Sequence, residues 1–287
     1  MMKIGFIGLG NMGAPMAKNL AAAGHEVTGY DTADISVEGV AKAAAMEDAV
    51  RGQEVVITML PNGQIVRRVH EAIIRAADPE TLIIDCSTID IESARAVHDM
   101  AAEPGLLSLD APVSGGTGGA AAGTLTFMVG GSDAAFAKGK PLFEIMGRKA
   151  VHCGAAGNGQ AAKICNNMIL GISMIGVCEA FHLADRIGLT RQAMFDVAST
   201  SSGSCWSLNT YCPAPGVGPD SPSDHDYKPG FAAELMLKDL DLSQTAAEKN
   251  GAATELGRHA RDIYKAFVDG GGEGKDFSAI LAKLEQG

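Results

Sequence analysis

The chain of 287 residues lacks an excess of positive charge, and its cysteines and histidines are not grouped. It carries 23 Lys and Arg against 34 Asp and Glu, a formal net charge of −11, which disfavours nucleic acid and anionic membranes as partners. Its six cysteines form no CxxC pair, and no histidine cluster lies near them. Neither a zinc site nor a disulfide framework is predicted, so we expect reduced thiols and no bound metal.

The sequence also lacks a membrane-length apolar segment and a recognisable leader. The best membrane candidate, residues 164–177, is shorter than the ~18 apolar residues usually required, and it contains Asn166 and Asn167. We predict a buried helix there and no membrane partner. No charged segment with an apolar core and cleavage site opens the chain, so we expect a cytoplasmic protein. A mitochondrial protein whose leader had been trimmed would have the same features.

A glycine-rich turn near the N-terminus lies between two predicted strands. A buried strand at residues 3–7 is followed by the turn, by a helix with Pro15 in its first turn, and by a strand at residues 26–31. In this context the first glycine allows the tight turn, the second admits pyrophosphate, and the third lets helix and strand pack closely. We therefore predict a dinucleotide site at Gly8, Leu9, Gly10, Asn11, Met12 and Gly13.

Asp31 ends the second of these strands and bears on which dinucleotide binds. A carboxylate there accepts hydrogen bonds from the ribose hydroxyls and repels a 2′-phosphate. No Lys or Arg follows before Lys42, so no nearby cation would neutralise that phosphate. The sequence therefore favours NAD over NADP.

Two further apolar strands, at residues 55–60 and 82–86, are typical of a parallel sheet covered on both faces. Ligands of such sheets lie beyond the carboxyl ends of the strands. We expect Leu60, Pro61 and Thr88 to line the cofactor, although Pro-Asn and Ser-Thr are also ordinary turn formers.

A second glycine-rich segment follows the strand at residues 106–109. Ser114, Gly115 and Gly116 can present a hydroxyl and successive backbone N–H groups to a carboxylate. The alternative is a flexible linker, but a strand predicted at residues 125–129 makes this a loop within a sheet.

Lys163 stands beside a long apolar stretch within a helix predicted over residues 160–186 and ended by Gly188. Asn167 lies four residues later, so both side chains share one helix face. A partly buried lysine is a candidate acid–base catalyst, whereas a lone lysine at a helix start more often has its amine in water.

Strand signals end near residue 152, and helices are predicted at residues 190–198, 232–249 and 254–267. We predict domains at residues 1–162 and 163–287.

These motifs together resemble the β-hydroxyacid dehydrogenase family over nearly the whole chain. The shared segments are residues 5–13, 110–116 and 159–167, with Lys238-Asp239-Leu240 late in the chain. Residues 201–207 and 213–217 resemble the 3-hydroxyisobutyrate branch. The resemblance implies an α/β Rossmann-type NAD-binding domain with a mostly parallel sheet. It also implies an all-α C-terminal domain for substrate binding and oligomerisation, a long interdomain helix, and a homodimer or homotetramer.

The resemblance also implies residue roles. Lys163 and Asn167 would be catalytic, and Lys238 would lie with the cofactor. The substrate would meet the cradle of Ser114, Gly115 and Gly116 and the side chains of Trp206 and Phe231. Residues 32–50 are compact for this family, which leaves the adenine side of the pocket undefined.

The implied reaction is NAD-dependent oxidation of 3-hydroxyisobutyrate to methylmalonate semialdehyde in valine breakdown, with Lys163 accepting the hydroxyl proton. One alternative is a semialdehyde reductase of the same family acting on tartronate or succinate semialdehyde. Another is a non-catalytic dinucleotide-binding protein, which the presence of Lys163, Ser114 and Asn167 disfavours.

Overall fold

The computed structural model describes residues 1–285. The chain forms two compact units, Met1–Lys163 and Ile164–Gly287. Each has its own apolar core, as expected for domains of this size.

The first unit is built on one sheet of nine strands. The strands are β1 (Lys3–Ile7), β2 (Glu26–Tyr30), β3 (Ala41–Lys42), β4 (Val55–Thr58), β5 (Leu82–Asp85), β6 (Leu107–Asp110), β7 (Val113–Ser114), β8 (Leu125–Gly131) and β9 (Gly147–His152). The order is β3-β2-β1-β4-β5-β6-β8-β7, with β9 paired to β8. Strands β1 to β6 are mutually parallel, whereas β8 runs antiparallel to β6 and β7. The first six strands have the order of a doubly wound dinucleotide-binding fold, which confirms the predicted sheet.

Five helices cover this sheet, and the start of a sixth belongs to the same unit. They are α1 (Gly13–Ala22), α2 (Gly63–Ala76), α3 (Ile91–Ala102), α4 (Gly116–Ala122), α5 (Asp133–Met146) and the first residues of α6 (Asn158–Ile187). Side chains of Asn62, Asp90 and Ser132 accept hydrogen bonds from the first turns of α2, α3 and α5, which fixes where these helices begin. Phe127 and Phe143 are fully buried with ring centroids 4.8 Å apart.

The second unit is helical. After α6 come α7 (Arg191–Ala198), α8 (Trp206–Asn209), α9 (Ala233–Lys249), α10 (Glu255–Phe267) and α11 (Ile280–Leu284). Between residues 164 and 285 no strand forms, and an isolated bridge joins Ala232 to Asp276. The predicted all-α C-terminal part and its long helix are therefore confirmed.

Helix α6 has 30 residues and, among the described helices, is alone in being long and apolar enough to cross a membrane. Length and composition are weak grounds for a span, because core helices satisfy the same criteria. Met174, Cys178 and Phe181 on α6 are fully buried in the core of the second unit, with Tyr264 and Phe277. The helix thus contributes buried side chains to the core of this unit.

Candidate active site

The glycine-rich turn at residues 8–13, named the fingerprint turn below, leaves open space at its middle glycine. Gly8 has a φ of +94°, and an added Cβ there would lie 2.2 Å from the carbonyl oxygen of Met59. A Cβ at Gly13 would lie 1.9 Å from the carbonyl oxygen of Gly8, whereas one at Gly10 meets nothing within 4 Å. The outer glycines thus let the chain pack against itself, and Gly10 leaves free space over the backbone. That is the surface a pyrophosphate needs.

Asp31 fastens this turn to the end of β2. Its Oδ2 accepts a hydrogen bond of 2.7 Å from the backbone N–H of Leu9, and its Oδ1 accepts one of 2.8 Å from Ala33. The carboxylate is therefore fixed beside the fingerprint turn. Lys42, the first cation after Asp31, forms its ion pair with Asp34. The arrangement fits the two ribose hydroxyls of NAD, whereas a 2′-phosphate would meet the negative charge of Asp31.

The loops after β4 and β5 are tied together through a buried carboxylate. Asp85 Oδ1 accepts hydrogen bonds from the hydroxyls of Thr58 at 2.7 Å and Ser87 at 2.6 Å. The Ser87 hydroxyl in turn accepts the backbone N–H of Leu60 at 2.8 Å. Leu60 and Pro61 follow β4, and Thr88 follows β5. These predicted cofactor residues thus lie at the carboxyl ends of neighbouring parallel strands, where such ligands bind.

The predicted carboxylate cradle lies where β7 meets α4. Ser114 is the last residue of β7, and Gly115 and Gly116 have φ of +133° and +61°. Most L-residues avoid such backbone angles. The turn exposes Gly115 and leaves Ser114 half-buried.

Lys163 is buried rather than exposed, with 7% of its surface accessible. Its Nζ donates a hydrogen bond of 2.8 Å to the carbonyl oxygen of Val113, the residue before Ser114. The structure therefore brings the predicted catalytic amine to the predicted cradle. It excludes the alternative of a lysine with its amine in water.

In the second unit, Asn167 and Lys238 meet at Asp239. Asn167 is 1% exposed, and its Nδ2 donates a hydrogen bond of 2.5 Å to Asp239 Oδ2. Lys238 Nζ lies 3.5 Å from Asp239 Oδ1, and Asn166 Nδ2 donates to Asn167 Oδ1 at 3.0 Å. The amide of Asn167 is thus held at both ends.

Trp206 and Phe231 belong to a separate aromatic cluster of the same unit. Trp206, 49% exposed, stacks on Tyr211 with ring centroids 5.0 Å apart. Tyr211 and Phe231 both contact the ring of Phe277, at 5.4 and 5.7 Å. Burial and the charge of Asp276 raise the pKa of Tyr211, whose hydroxyl donates to that carboxylate at 2.8 Å.

Comparison with known proteins decides the family. A model of the NAD binding domain of 6-phosphogluconate dehydrogenase matches residues 3–154. A model described as NAD-binding of NADP-dependent 3-hydroxyisobutyrate dehydrogenase matches residues 157–284. A probable 3-hydroxyisobutyrate dehydrogenase of Mycobacterium tuberculosis is 50% identical, over 99% of this chain and 98% of the relative. The chain belongs to the 3-hydroxyisobutyrate dehydrogenase family.

Two further comparisons involve L-serine. A Pseudomonas aeruginosa NAD-dependent L-serine dehydrogenase is 46% identical, over 98% of this chain and 97% of the relative. A solved structure of the Mycobacterium tuberculosis 3-hydroxyisobutyrate dehydrogenase with L-serine superposes with a TM-score of 0.94, at 49% identity and 99% coverage of both chains. The protein is an NAD-dependent oxidoreductase acting on a small hydroxy acid. The predicted family, fold, enzyme class and cofactor are confirmed.

Several buried polar residues of this family member carry contacts that no motif pointed to. Thr58, Asp85 and Ser87 are nearly inaccessible, and their signal in the sequence is only an acid and hydroxyls at the ends of apolar strands. Among residues 1–285, no group of three or more His, Cys, Asp or Glu side chains is placed to hold a metal.

Proposed function

We propose that the protein oxidises 3-hydroxyisobutyrate to methylmalonate semialdehyde in valine breakdown, with Lys163 as the proton acceptor. The observation that carries this proposal is the bond of 2.8 Å from Lys163 Nζ to the carbonyl oxygen of Val113. It holds a buried amine beside Ser114, where the substrate carboxylate would be bound.

In the proposed reaction, the nicotinamide ring of NAD would be the hydride acceptor. The carbinol carbon loses a hydride and the hydroxyl loses a proton, which Lys163 accepts as the neutral amine; in reduction its ammonium returns the proton. Oxidation therefore needs the neutral amine, and reduction needs the ammonium. A well-placed acid–base group typically contributes about 10²–10⁴ in rate.

The remaining predicted site residues have binding roles in this proposal. The Ser114 hydroxyl and the N–H groups of Gly115 and Gly116 bind the substrate carboxylate, and Asn167 orients the reacting oxygen by hydrogen bonding. Trp206 and Phe231 bound the substrate on its apolar side. The fingerprint turn, Asp31, the loops after β4 and β5, and Lys238 would hold NAD. Residues 163–287 would also supply the contacts of a homodimer or homotetramer.

L-Serine is a second candidate substrate, because a relative at 46% identity is named an L-serine dehydrogenase and a neighbour was solved with L-serine. L-Serine and 3-hydroxyisobutyrate share a primary alcohol and a carboxylate. They differ in an ammonium or a methyl group at the carbon between them. A cradle for carboxylate and an amine for the hydroxyl proton would serve both.

Steady-state kinetics on 3-hydroxyisobutyrate, L-serine, glycerate and 4-hydroxybutyrate, each with NAD and NADP, test the substrate proposal. We expect the highest kcat/KM with 3-hydroxyisobutyrate and NAD. A higher kcat/KM on L-serine would select the second candidate. A preference for glycerate or 4-hydroxybutyrate with NADP would support the reductase alternative.

Lys163→Ala tests the mechanism. We expect kcat to fall by about 10²–10⁴, while the Kd for NAD, measured by titration calorimetry, stays within about twofold. Lys140→Ala is the matched control, because Lys140 is 58% exposed on α5 and contacts Glu144. Near-normal turnover of Lys163→Ala would end the proposed role of this lysine.

A further inference from the structure

The first turn of α6 is held by a carboxylate from a distant strand. Asp110, the last residue of β6, is 2% exposed. Its Oδ1 accepts the backbone N–H of Gly157 at 2.8 Å, and its Oδ2 accepts that of Gln160 at 2.9 Å. The first N–H groups of a helix have no partner within the helix, and a negative charge at this end is favourable. Asp110 thus performs the capping of α6 from 50 residues upstream.

His98 orients this carboxylate. Its Nε2 lies 2.9 Å from Asp110 Oδ1, and its Nδ1 lies 2.7 Å from the hydroxyl of Ser108. A carboxylate only accepts hydrogen bonds, so Nε2 is the donor. Ser108 lies two residues before Asp110 on β6. The imidazole is therefore fixed on both sides, and Asp110 Oδ1 receives a second donor.

The carboxylate of Asp110 is closely surrounded by the backbone of β8 and of the start of α6. A Cβ added at Gly130 would lie 2.4 Å from Asp110 Oδ1. A Cβ added at Gly159 would lie 2.3 Å from the carbonyl oxygen of Met128 and 2.5 Å from that of Asp110. The start of α6 is thus pressed directly onto β6 and β8, and only glycine permits the approach.

The same turn of α6 also holds the loop after β5. The Gln160 side chain is fully buried; its Oε1 accepts the backbone N–H of Ile89 at 3.1 Å, and its Nε2 donates to the carbonyl oxygen of Ser87 at 2.7 Å. Lys163 follows three residues later. The helix start thus joins the loop that carries Thr88, the strand that leads to Ser114, and the proposed catalytic amine.

We propose that Asp110, oriented by His98, is a positioning residue for the reaction. It sets the place of the Lys163 amine relative to the cradle at Ser114, beyond any contribution to folding. The inference rests on the proposed role of Lys163. Misplacement of a reacting group by about 1 Å can cost about 10²-fold in rate, which is the scale of effect to expect.

Asp110→Asn is the first test. The amide keeps the size of the side chain, but its NH₂ group must face one of the helix N–H donors, so one of them loses its acceptor. We expect kcat on 3-hydroxyisobutyrate to fall about 100-fold, with the Kd for NAD within about twofold. The deuterium isotope effect on kcat, with substrate deuterated at the carbinol carbon, should rise because hydride transfer becomes slower. Ser132→Ala, which removes the N-cap of α5, is the matched control and should leave kcat and the isotope effect unchanged.

A pair of variants at His98 covers the case in which Asp110→Asn does not fold. His98→Leu removes the donor to Asp110, whereas His98→Gln retains an N–H donor at a similar distance from the backbone. We expect His98→Leu to lower kcat about 10-fold or more and His98→Gln to restore most of it, at similar melting temperatures.

The inference is overturned if Asp110→Asn melts at a lower temperature but keeps its kcat and isotope effect, or if His98→Gln is no better than His98→Leu. An inactive Lys163→Ala beside an active Asp110→Asn would reject only the positioning role. An active Lys163→Ala would reject the proposed function, and this inference with it.

Discussion

Alanine substitutions at Gly10 and Gly13 should separate folding from cofactor binding within one motif. An added Cβ at Gly13 would lie 1.9 Å from the carbonyl oxygen of Gly8 and 3.0 Å from Cε1 of Phe6. An added Cβ at Gly10 would meet nothing within 4 Å. Gly13→Ala therefore disturbs the packing of α1 against the turn, and Gly10→Ala changes only the surface that we propose faces the cofactor.

The contacts at Gly13 and Gly10 allow an estimate of the loss in Tm and of the rise in the KM for NAD. The contact at Gly13 must lengthen from 1.9 Å to at least 3.0 Å, and the obstructing atom is backbone. Overpacking of this kind typically costs about 1–3 kcal/mol, and each kcal/mol lowers Tm by about 2–4 °C in chains approaching this size. We expect a loss of about 3–10 °C. Gly10→Ala should leave Tm within about 1 °C but obstruct at least one hydrogen bond to pyrophosphate. A hydrogen bond to a charged group contributes about 1.5–3 kcal/mol, so the KM for NAD should rise about 10- to 100-fold.

Thermal denaturation followed by circular dichroism measures the first effect, and steady-state kinetics with varied NAD measure the second. Because Gly10→Ala removes binding common to the ground and transition states, its kcat at saturating NAD should match that of the unaltered protein. An unchanged KM for NAD in Gly10→Ala would refute the placement of pyrophosphate over this turn. An unchanged Tm in Gly13→Ala would refute the close contact with Gly8.

Two other predictions follow from buried titratable groups. Burial lowers the pKa of His70 despite the opposing charge of Asp85, so below about pH 6.5 the unfolded chain binds the proton more readily than the folded one. Stability should therefore fall as the pH drops from 7 to 5, and His70→Gln should flatten that dependence in urea unfolding; an equal slope in both proteins would contradict this. Burial also raises the pKa of the Cys86 and Cys178 thiols, whereas Cys165 is exposed. The fastest thiol to react with Ellman's reagent at pH 8 should be Cys165, and a fast phase that persists in Cys165→Ser would contradict this.

Helices and strands could be predicted from the sequence where the local pattern of apolar residues determines the structure. The helix predicted at residues 160–186 is observed at Asn158–Ile187. The apolar strands predicted at residues 55–60 and 82–86 are observed as β4 and β5. The glycine-rich segment after Ser114 was predicted as a loop, yet it forms α4 (Gly116–Ala122). Glycine disfavours helix, but Ala120 is fully buried in the core and its carbonyl oxygen accepts a hydrogen bond of 2.8 Å from Asn19. Tertiary packing there outweighs local propensity.

Hydrogen bonds between residues that are far apart in the chain could not be predicted from a single sequence. Asp110 bonds to backbone groups 47 and 50 residues away, and Asn167 bonds to Asp239 at a separation of 72. The composition of a segment shows which donors and acceptors exist, whereas the fold decides which of them meet. The burial of Lys163 shows the same limit, since its sequence neighbours suggested apolar surroundings but did not identify Val113 as its partner.

The motif at residues 110–116 has two roles: one end binds the start of α6, and the other end forms the cradle. Asp110 turns inward and binds the start of α6, the carbonyl oxygen of Val113 accepts the lysine amine, and Ser114 lies half-buried at the cradle. Because the backbone from Asp110 to Ser114 is only a few residues long, it cannot shift at one end without moving the other. Its length thus couples the seating of the helix to the geometry of the cradle. Changing the number of residues between Asp110 and Ser114 should therefore be more damaging than replacing either side chain.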